Sequence, residues 1–422
     1  MLRRTLLTFA TRFGIALLNF GTVLLTARAL GAVGRGQISL FVTDIALMLL
    51  FIGLIGGSSL IYLAPRRNVW RLLVPAAVWA TLVCGTGALI VGLARPDTSG
   101  AYALHLGAIG LIQALFSIVA ALLLGRRREM FFNVLSLLQA GLLVAGLAVA
   151  VYGLHVRQVS IFYYASYLAY GVPLLVAVLT LSRQPDRLAL TRSALRRTTR
   201  ELARHSCGAH LSNILVFLNY RLSYYFLAAW AGPGAVGVLS VGVALTEALW
   251  LIGRSVAQTQ YVELVNAADK AARLPAVLRA ARLTGLLTAG GLVALLAIPT
   301  PVLVAVFGDE FRAARPVLFW LAPGVLVMGV GMLLSTWFAG HGAYGANNRA
   351  TAAGLLVVVP ACALLIPRWG AVGAAAATSL SYLAVIGLLI VQFRRTTGAG
   401  VRSLLPQFAD FRPAPPTLPA QP

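Results

Sequence analysis

The sequence predicts an all-α polytopic membrane protein of about 12 transmembrane helices in two six-helix lobes, and three observations carry that prediction. The 422 residues are 59% hydrophobic and only 11% charged, with a mean hydropathy of +0.87; a soluble chain of this length needs more polar surface. Apolar stretches of about 20 residues, the length that crosses a hydrocarbon core, recur along the chain. The connections between them alternate between basic and nearly uncharged, as the positive-inside rule requires. The formal charge of +23 therefore sets orientation, and no nucleic-acid partner is expected.

Taken in order, the spans fall at roughly 8–28, 38–63, 72–94, 102–124, 130–152, 159–181, 206–230, 235–258, 283–307, 315–339, 350–367 and 371–393. The first lacks a small-residue cleavage site at its end, so it reads as a retained span and not a signal peptide. Span eleven is short, and only Arg368, Trp369 and Gly370 separate it from span twelve. Of the 34 Lys and Arg residues, six (Arg35, Arg95, Arg157, Arg312, Arg315, Arg368) fall on one side, four (Arg12, Arg28, Arg221, Arg254) lie within spans, and the other 24 share the side of both termini. That bias makes both termini cytoplasmic. Cys84, Cys207 and Cys362 sit singly in apolar segments, without metal-ligand spacing, and no metal or cofactor is expected.

The domain division follows: residues 1–181 form the first lobe, 182–205 a basic cytoplasmic linker, 206–395 the second lobe, and 396–422 a cytoplasmic Pro-rich tail whose composition predicts disorder. Within the linker, Arg192–Ser206 reads either as an amphipathic helix on the inner membrane surface or as a basic connection that fixes topology. The lobes repeat. Leu18–Phe20 (LNF) matches Leu218–Tyr220 (LNY), and a shift of one residue aligns Gly31 with Gly232, Gly36 with Gly237 and Ser39 with Ser240. An even number of spans per lobe makes this a parallel repeat, with a pseudo-twofold axis along the membrane normal.

Polar residues inside the spans are the functional signal, because a charge at a span centre costs about 2.5–3.5 kcal/mol unless it faces a cavity or a partner. Residues seven apart share a helix face. Thr5, Arg12, Asn19 and Thr26 form one such stripe; Ser240, Glu247 and Arg254 form another; Ser206, His210, Asn213, Arg221 and Tyr224 occupy one arc of span seven. Each has a plainer reading. Arg12, Arg28 and Arg254 lie near span ends, where long side chains snorkel. Asn19 suits an interhelical hydrogen bond, and His210 suits a satisfied bundle histidine. Asp44 pairs with Arg28 or Arg35. Glu247 is either a proton-coupling carboxylate or the partner of Arg254 or Arg221.

The stretches Arg28–Phe41 (RALGAVGRGQISLF) and Ala231–Gly253 (AGPGAVGVLSVGVALTEALWLIG) resemble the polysaccharide flippases of bacterial surface-glycan pathways, for lipid-linked O-antigen-type oligosaccharides, within the exporter superfamily that also holds multidrug and toxin extruders and peptidoglycan lipid flippases. The resemblance implies a MATE-like fold and two six-helix bundles around a basic central cavity with alternating access. It also implies an undecaprenyl-diphosphate oligosaccharide carried from the inner to the outer leaflet of a bacterial cytoplasmic membrane. Membrane lipids and other surface-polysaccharide assembly proteins are the partners it suggests. The peptidoglycan lipid flippases usually carry two further spans, which this sequence lacks. On such a cargo, Arg221, Arg12 and Arg254 would bind the diphosphate, since guanidinium forks suit phosphoryl oxygens. Asn19, His210, Asn213 and Tyr224 would line the sugar path, with Glu247 and Asp44 serving ion coupling or ion pairing.

Two alternatives remain at this point. A multidrug or cation antiporter of the same superfamily shares the architecture but calls for cation-attracting carboxylates. A membrane glycan polymerase or ligase calls for a large outer loop with catalytic residues, and the outer connections here are short. No catalytic set is recognisable, and the sequence does not read as an enzyme.

Overall fold

The structure, a computed structural model, describes residues 2–95, 100–184, 186, 191–267, 269–407 and 410. Among them there is no strand. Eleven α-helices run as α1 Leu2–Gly56, α2 Ser58–Leu63, α3 Val69–Ala94, α4 Gly100–Gly125, α5 Glu129–Ala148, α6 Ser160–Ser182, α7 Arg192–Asn266, α8 Leu274–Leu296, α9 Thr300–Phe307, α10 Ala314–Gly340 and α11 Tyr344–Thr397. Nine helical segments of the described residues are long and apolar enough to cross a membrane, and the molecule is a multi-pass membrane protein.

Three of those segments are of double length, and each is folded back at a glycine. Gly31 (φ 66°, ψ −173°) breaks α1, Gly232 (φ 76°, ψ 175°) breaks α7, and Gly370 (φ 52°, ψ −127°) breaks α11. These conformations are open to a residue without Cβ and strained for others. Counting the limbs on either side of each break gives twelve passes, the number that hydropathy predicts. The aligned glycines of the repeat, Gly31 and Gly232, are thus the two equivalent breaks.

Other ends have local causes. The Asn68 side chain caps α3 by accepting from the N–H groups of Trp70 and Arg71. A left-handed Gly398 (φ 72°) closes α11. Pro299 falls in the gap between α8 and α9, where it ends a helix. Pro323 stays inside α10. One residue later Gly324 N–H donates to Ser379 Oγ at 3.2 Å, and that hydroxyl donates to the Trp320 carbonyl at 2.5 Å. A side chain from α11 is thus inserted into the α10 backbone ladder, which satisfies groups that lipid could not.

Packing divides the chain into two compact units. Unit 1 comprises Met1–Phe217, Gly232–Ser240 and Val306–Glu310, and unit 2 comprises Leu218–Ala231, Val241–Ala305 and Phe311–Pro422. In unit 1 a buried core of Ile38, Phe41, Leu72, Leu106, Ile109, Ile118 and Leu122 joins α1, α3 and α4. In unit 2 the run Ala374–Ala377 is buried, small residues of the kind that let membrane helices approach closely. Many large apolar side chains, such as Leu89, Ile90, Leu104 and Leu356, point outward, as lipid-facing residues do.

The central linker and the tail both carry regular structure. The basic linker is helical from Arg192 and continues without a non-helical residue into the next span as far as Gly232. Thr198 and Leu202 lie on its buried side, while Arg196, Arg197, Arg200 and Arg204 are exposed. Of the described tail residues, α11 extends to Thr397, Val401–Leu404 form a 3₁₀ turn, and Asp410 is buried. Linker positions 185 and 187–190 and tail positions 408, 409 and 411–422 lie outside the described residues.

Candidate functional site

A charged cluster inside the spans of unit 2 is built on the two limbs of α7. Folding back at Gly232 brings Arg221, on the first limb, beside Glu247, on the second. Arg221 Nη2 lies 3.2 Å from Glu247 Oε1, and Nη1 donates to the Tyr224 hydroxyl oxygen at 3.1 Å. The guanidinium also sits 5.3 Å from the centre of the Tyr224 ring, a cation–π distance. Arg221 and Glu247 keep 29% and 31% of their side-chain surface exposed. Tyr224 itself is buried. Two of the five N–H donors of the guanidinium are engaged in these bonds, so the group can take an anion without losing its anchor.

An aromatic triangle flanks the pair. The rings of Tyr220, Trp250 and Tyr382 lie 5.6–5.9 Å apart, and Trp250 Nε1 donates to the Val325 carbonyl at 3.3 Å. Asn219 ties the first limb to α11. Its amide donates to the Thr351 carbonyl at 2.9 Å, and Ser381 donates to its side-chain oxygen at 2.6 Å. Sequence reasoning did not single out Asn219, Trp250 or Tyr382. For Asn219 the signal was present, since it is the asparagine of the repeated LNY; for the other two, aromatic residues in an apolar helix carry no mark.

The remaining site residues expected from sequence are dispersed. Arg254 is exposed two turns beyond Glu247. In unit 1, Arg12, Asn19 and Asn213 are exposed, and His210 is half-buried with its ring 6.2 Å from that of Phe51. Asp44 is sealed. Its carboxylate accepts from Arg95 Nη1 at 3.0 Å and from the Tyr102 hydroxyl at 2.7 Å. Arg35, one of the partners that sequence suggests for Asp44, is held by Ser240 Oγ at 3.1 Å and by Thr26 Oγ1 at 3.2 Å. The first limb of α1 thus carries its polar stripe on exposed positions at Arg12 and Asn19, whereas Thr26 is buried.

Beside the first glycine break, unit 1 is tightly closed. Glu310 Oε2 accepts from the Ala32 N–H at 2.6 Å. A Cβ at Gly36 would overlap the Pro233 carbonyl, and one at Gly237 would overlap the Ala32 carbonyl. The repeated glycines therefore serve backbone contact as well as chain reversal. No group of three or more His, Cys, Asp or Glu able to hold a metal occurs among the described residues.

No protein-family model matches the sequence, and no curated protein matches it by sequence. Solved structures do match. The lipid II flippase MurJ in an inward closed conformation superposes with a TM-score of 0.72 at 12% identity, over 92% of this chain and 87% of that one. An inward-facing multidrug resistance MATE transporter gives 0.70 at 16% identity, over 91% and 94%. A MOP-superfamily transporter from Pyrococcus furiosus gives 0.57 at 16% identity, over 93% and 94%. With twelve passes, the repeated glycine breaks and these superpositions together, the chain has the all-α fold of the MOP-superfamily flippases and MATE transporters.

Proposed function

We propose that the protein is a flippase for an anionic lipid-linked oligosaccharide, an undecaprenyl-diphosphate glycan carried from the inner to the outer leaflet by alternating access. The observation that carries this reading is Arg221: a cation deep in a span, anchored by Glu247 and Tyr224, with donors left over and nearly a third of its side chain exposed. Guanidinium donors suit diphosphate oxygens, and neighbouring amides and hydroxyls suit sugars. The likeness to a lipid II flippase supports a lipid-linked cargo. The 24 basic residues on the side of the termini support a bacterial cytoplasmic membrane with both termini inside.

A cation antiporter is the competing reading, since the fold also serves multidrug transporters. Pairing argues against it. The two acidic residues within the spans, Asp44 and Glu247, are each in a salt bridge with an arginine, which neutralises the charge a cation would need. The decisive experiment follows a fluorescent undecaprenyl-diphosphate oligosaccharide across proteoliposome membranes. Wild type is expected to move it, and Arg221→Ala to slow it by about 10–100-fold, the worth of a charge-assisted contact of roughly 1.4–3 kcal/mol. Extrusion of cationic dyes by wild type without lipid movement would overturn the reading.

A further inference from the structure

A second arginine site lies at the N-terminal end of α8. Arg282 donates from Nε to Asp410 Oδ2 at 2.7 Å and from Nη2 to Oδ1 at 2.5 Å. Its Nη1 donates to the Ser403 carbonyl at 2.9 Å, and Arg279 Nη2 donates to the Asp410 carbonyl at 2.8 Å. The Gln407 N–H adds a bond to Oδ2 at 2.9 Å. Arg282 is 10% exposed and Asp410 only 1%, so the fork is far more enclosed than the one at Arg221. Two parallel N–H donors in a plane hold a carboxylate and a phosphoryl group equally well. The spacing of three residues puts Arg279 and Arg282 on one face of the helix.

Among its described residues, the segment that delivers Asp410 buries no apolar side chain. Between Gly398 and Gln407 no residue is buried, and Val401 and Leu405 are 54% and 58% exposed. Charge-assisted bonds, and not apolar area, keep this segment in place, and segments of that kind open at low free energy. Opening takes from Arg282 both its carboxylate and the Ser403 carbonyl, and leaves the fork of donors open to another anion.

We propose that Arg279 and Arg282 form a phosphoryl-anion site and that Asp410 is its resident competitor. A phosphoryl group entering the fork displaces the tail, so the tail guards the site until an anion of matching geometry arrives. In taking the diphosphate of a lipid-linked cargo as one occupant the proposal rests on the function proposed above; the site itself does not. The other source of the same chemistry is the headgroup of an anionic phospholipid.

The test titrates full-length protein in nanodiscs with inorganic pyrophosphate and reads affinity calorimetrically. In zwitterionic lipid, Asp410→Ala is expected to bind about tenfold or more tightly than wild type, because a charged competitor is gone. Adding Arg282→Ala to Asp410→Ala is expected to abolish the gain, and a fold check on each variant comes from its unfolding midpoint. If Asp410→Ala folds and binds no more tightly than wild type, the site is overturned and the tail is a structural strap only. Repeating the titration in phosphatidylglycerol discs separates the sources: suppression of the gain supports the site with a headgroup occupant, and persistence supports it with a cargo or free phosphoryl group. Tightening without any lipid translocation would leave this site standing and sink the flippase reading, while translocation without tightening would do the reverse.

Discussion

Each unit holds an arginine, an acid and a tyrosine in hydrogen-bond contact, and the two trios are wired in opposite senses. In unit 1 the Tyr102 hydroxyl donates to the Asp44 carboxylate, which also takes Arg95 and is 4% exposed. In unit 2 the Tyr224 oxygen accepts from Arg221, so the tyrosine serves the cation and leaves Glu247 with a single arginine bond from the trio at 3.2 Å. The first arrangement closes a carboxylate off with its acceptors satisfied, which is how membrane helices are cross-linked. The second holds a cation by its edges and leaves it part-exposed. The same three residue types thus make two different arrangements, and the direction of the tyrosine hydrogen bond separates them.

Removing the arginines sharpens this contrast most. Arg95→Ala strands a buried carboxylate and is expected to cost about 3–5 kcal/mol, whereas Arg221→Ala leaves a part-exposed Glu247 and should cost about 1 kcal/mol or less. Unfolding midpoints of the two variants in detergent check this, and equal losses would erase the distinction. The tyrosines come next. Tyr102→Phe removes a buried donor to a charge, worth about 1–3 kcal/mol, while Tyr224→Phe should shift stability by less than about 1 kcal/mol and show itself in transport instead. Glu247→Gln is the smallest: with Arg221 still held by a neutral acceptor, transport is expected to change by less than about threefold. Full loss of transport in that variant would reassign Glu247 to ion coupling.

The passes were legible because hydropathy is local: twenty residues in a row declare a span without reference to their neighbours. The breaks at Gly31 and Gly232 were legible through their repeat, and Glu247 with Arg221 through the cost of charge in lipid. Other features required packing. Arg95 looks like an outer-loop residue, and its bond to Asp44 spans 51 positions, which no periodicity reports. Asn219 and Ser381 lie 162 positions apart, and a serine in a helix is unmarked until its partner is known. Asp410 sits in a stretch whose composition predicts disorder, and one buried carboxylate on a matched arginine outweighs that average.

The glycine breaks also bear on how the chain is made. Gly31, Gly232 and Gly370 follow the first, seventh and eleventh passes, all odd-numbered. At each of them the helix reverses without a polar loop: Gly31–Ala32–Val33–Gly34 in the first, Gly232–Pro233–Gly234–Ala235 in the second, Trp369–Gly370–Ala371 in the third. During biosynthesis such a pair can enter the bilayer together as a helical hairpin, tip first, with almost nothing hydrophilic to translocate. Half of the twelve passes can therefore enter as ready-made couples, each needing only a short apolar tip to cross.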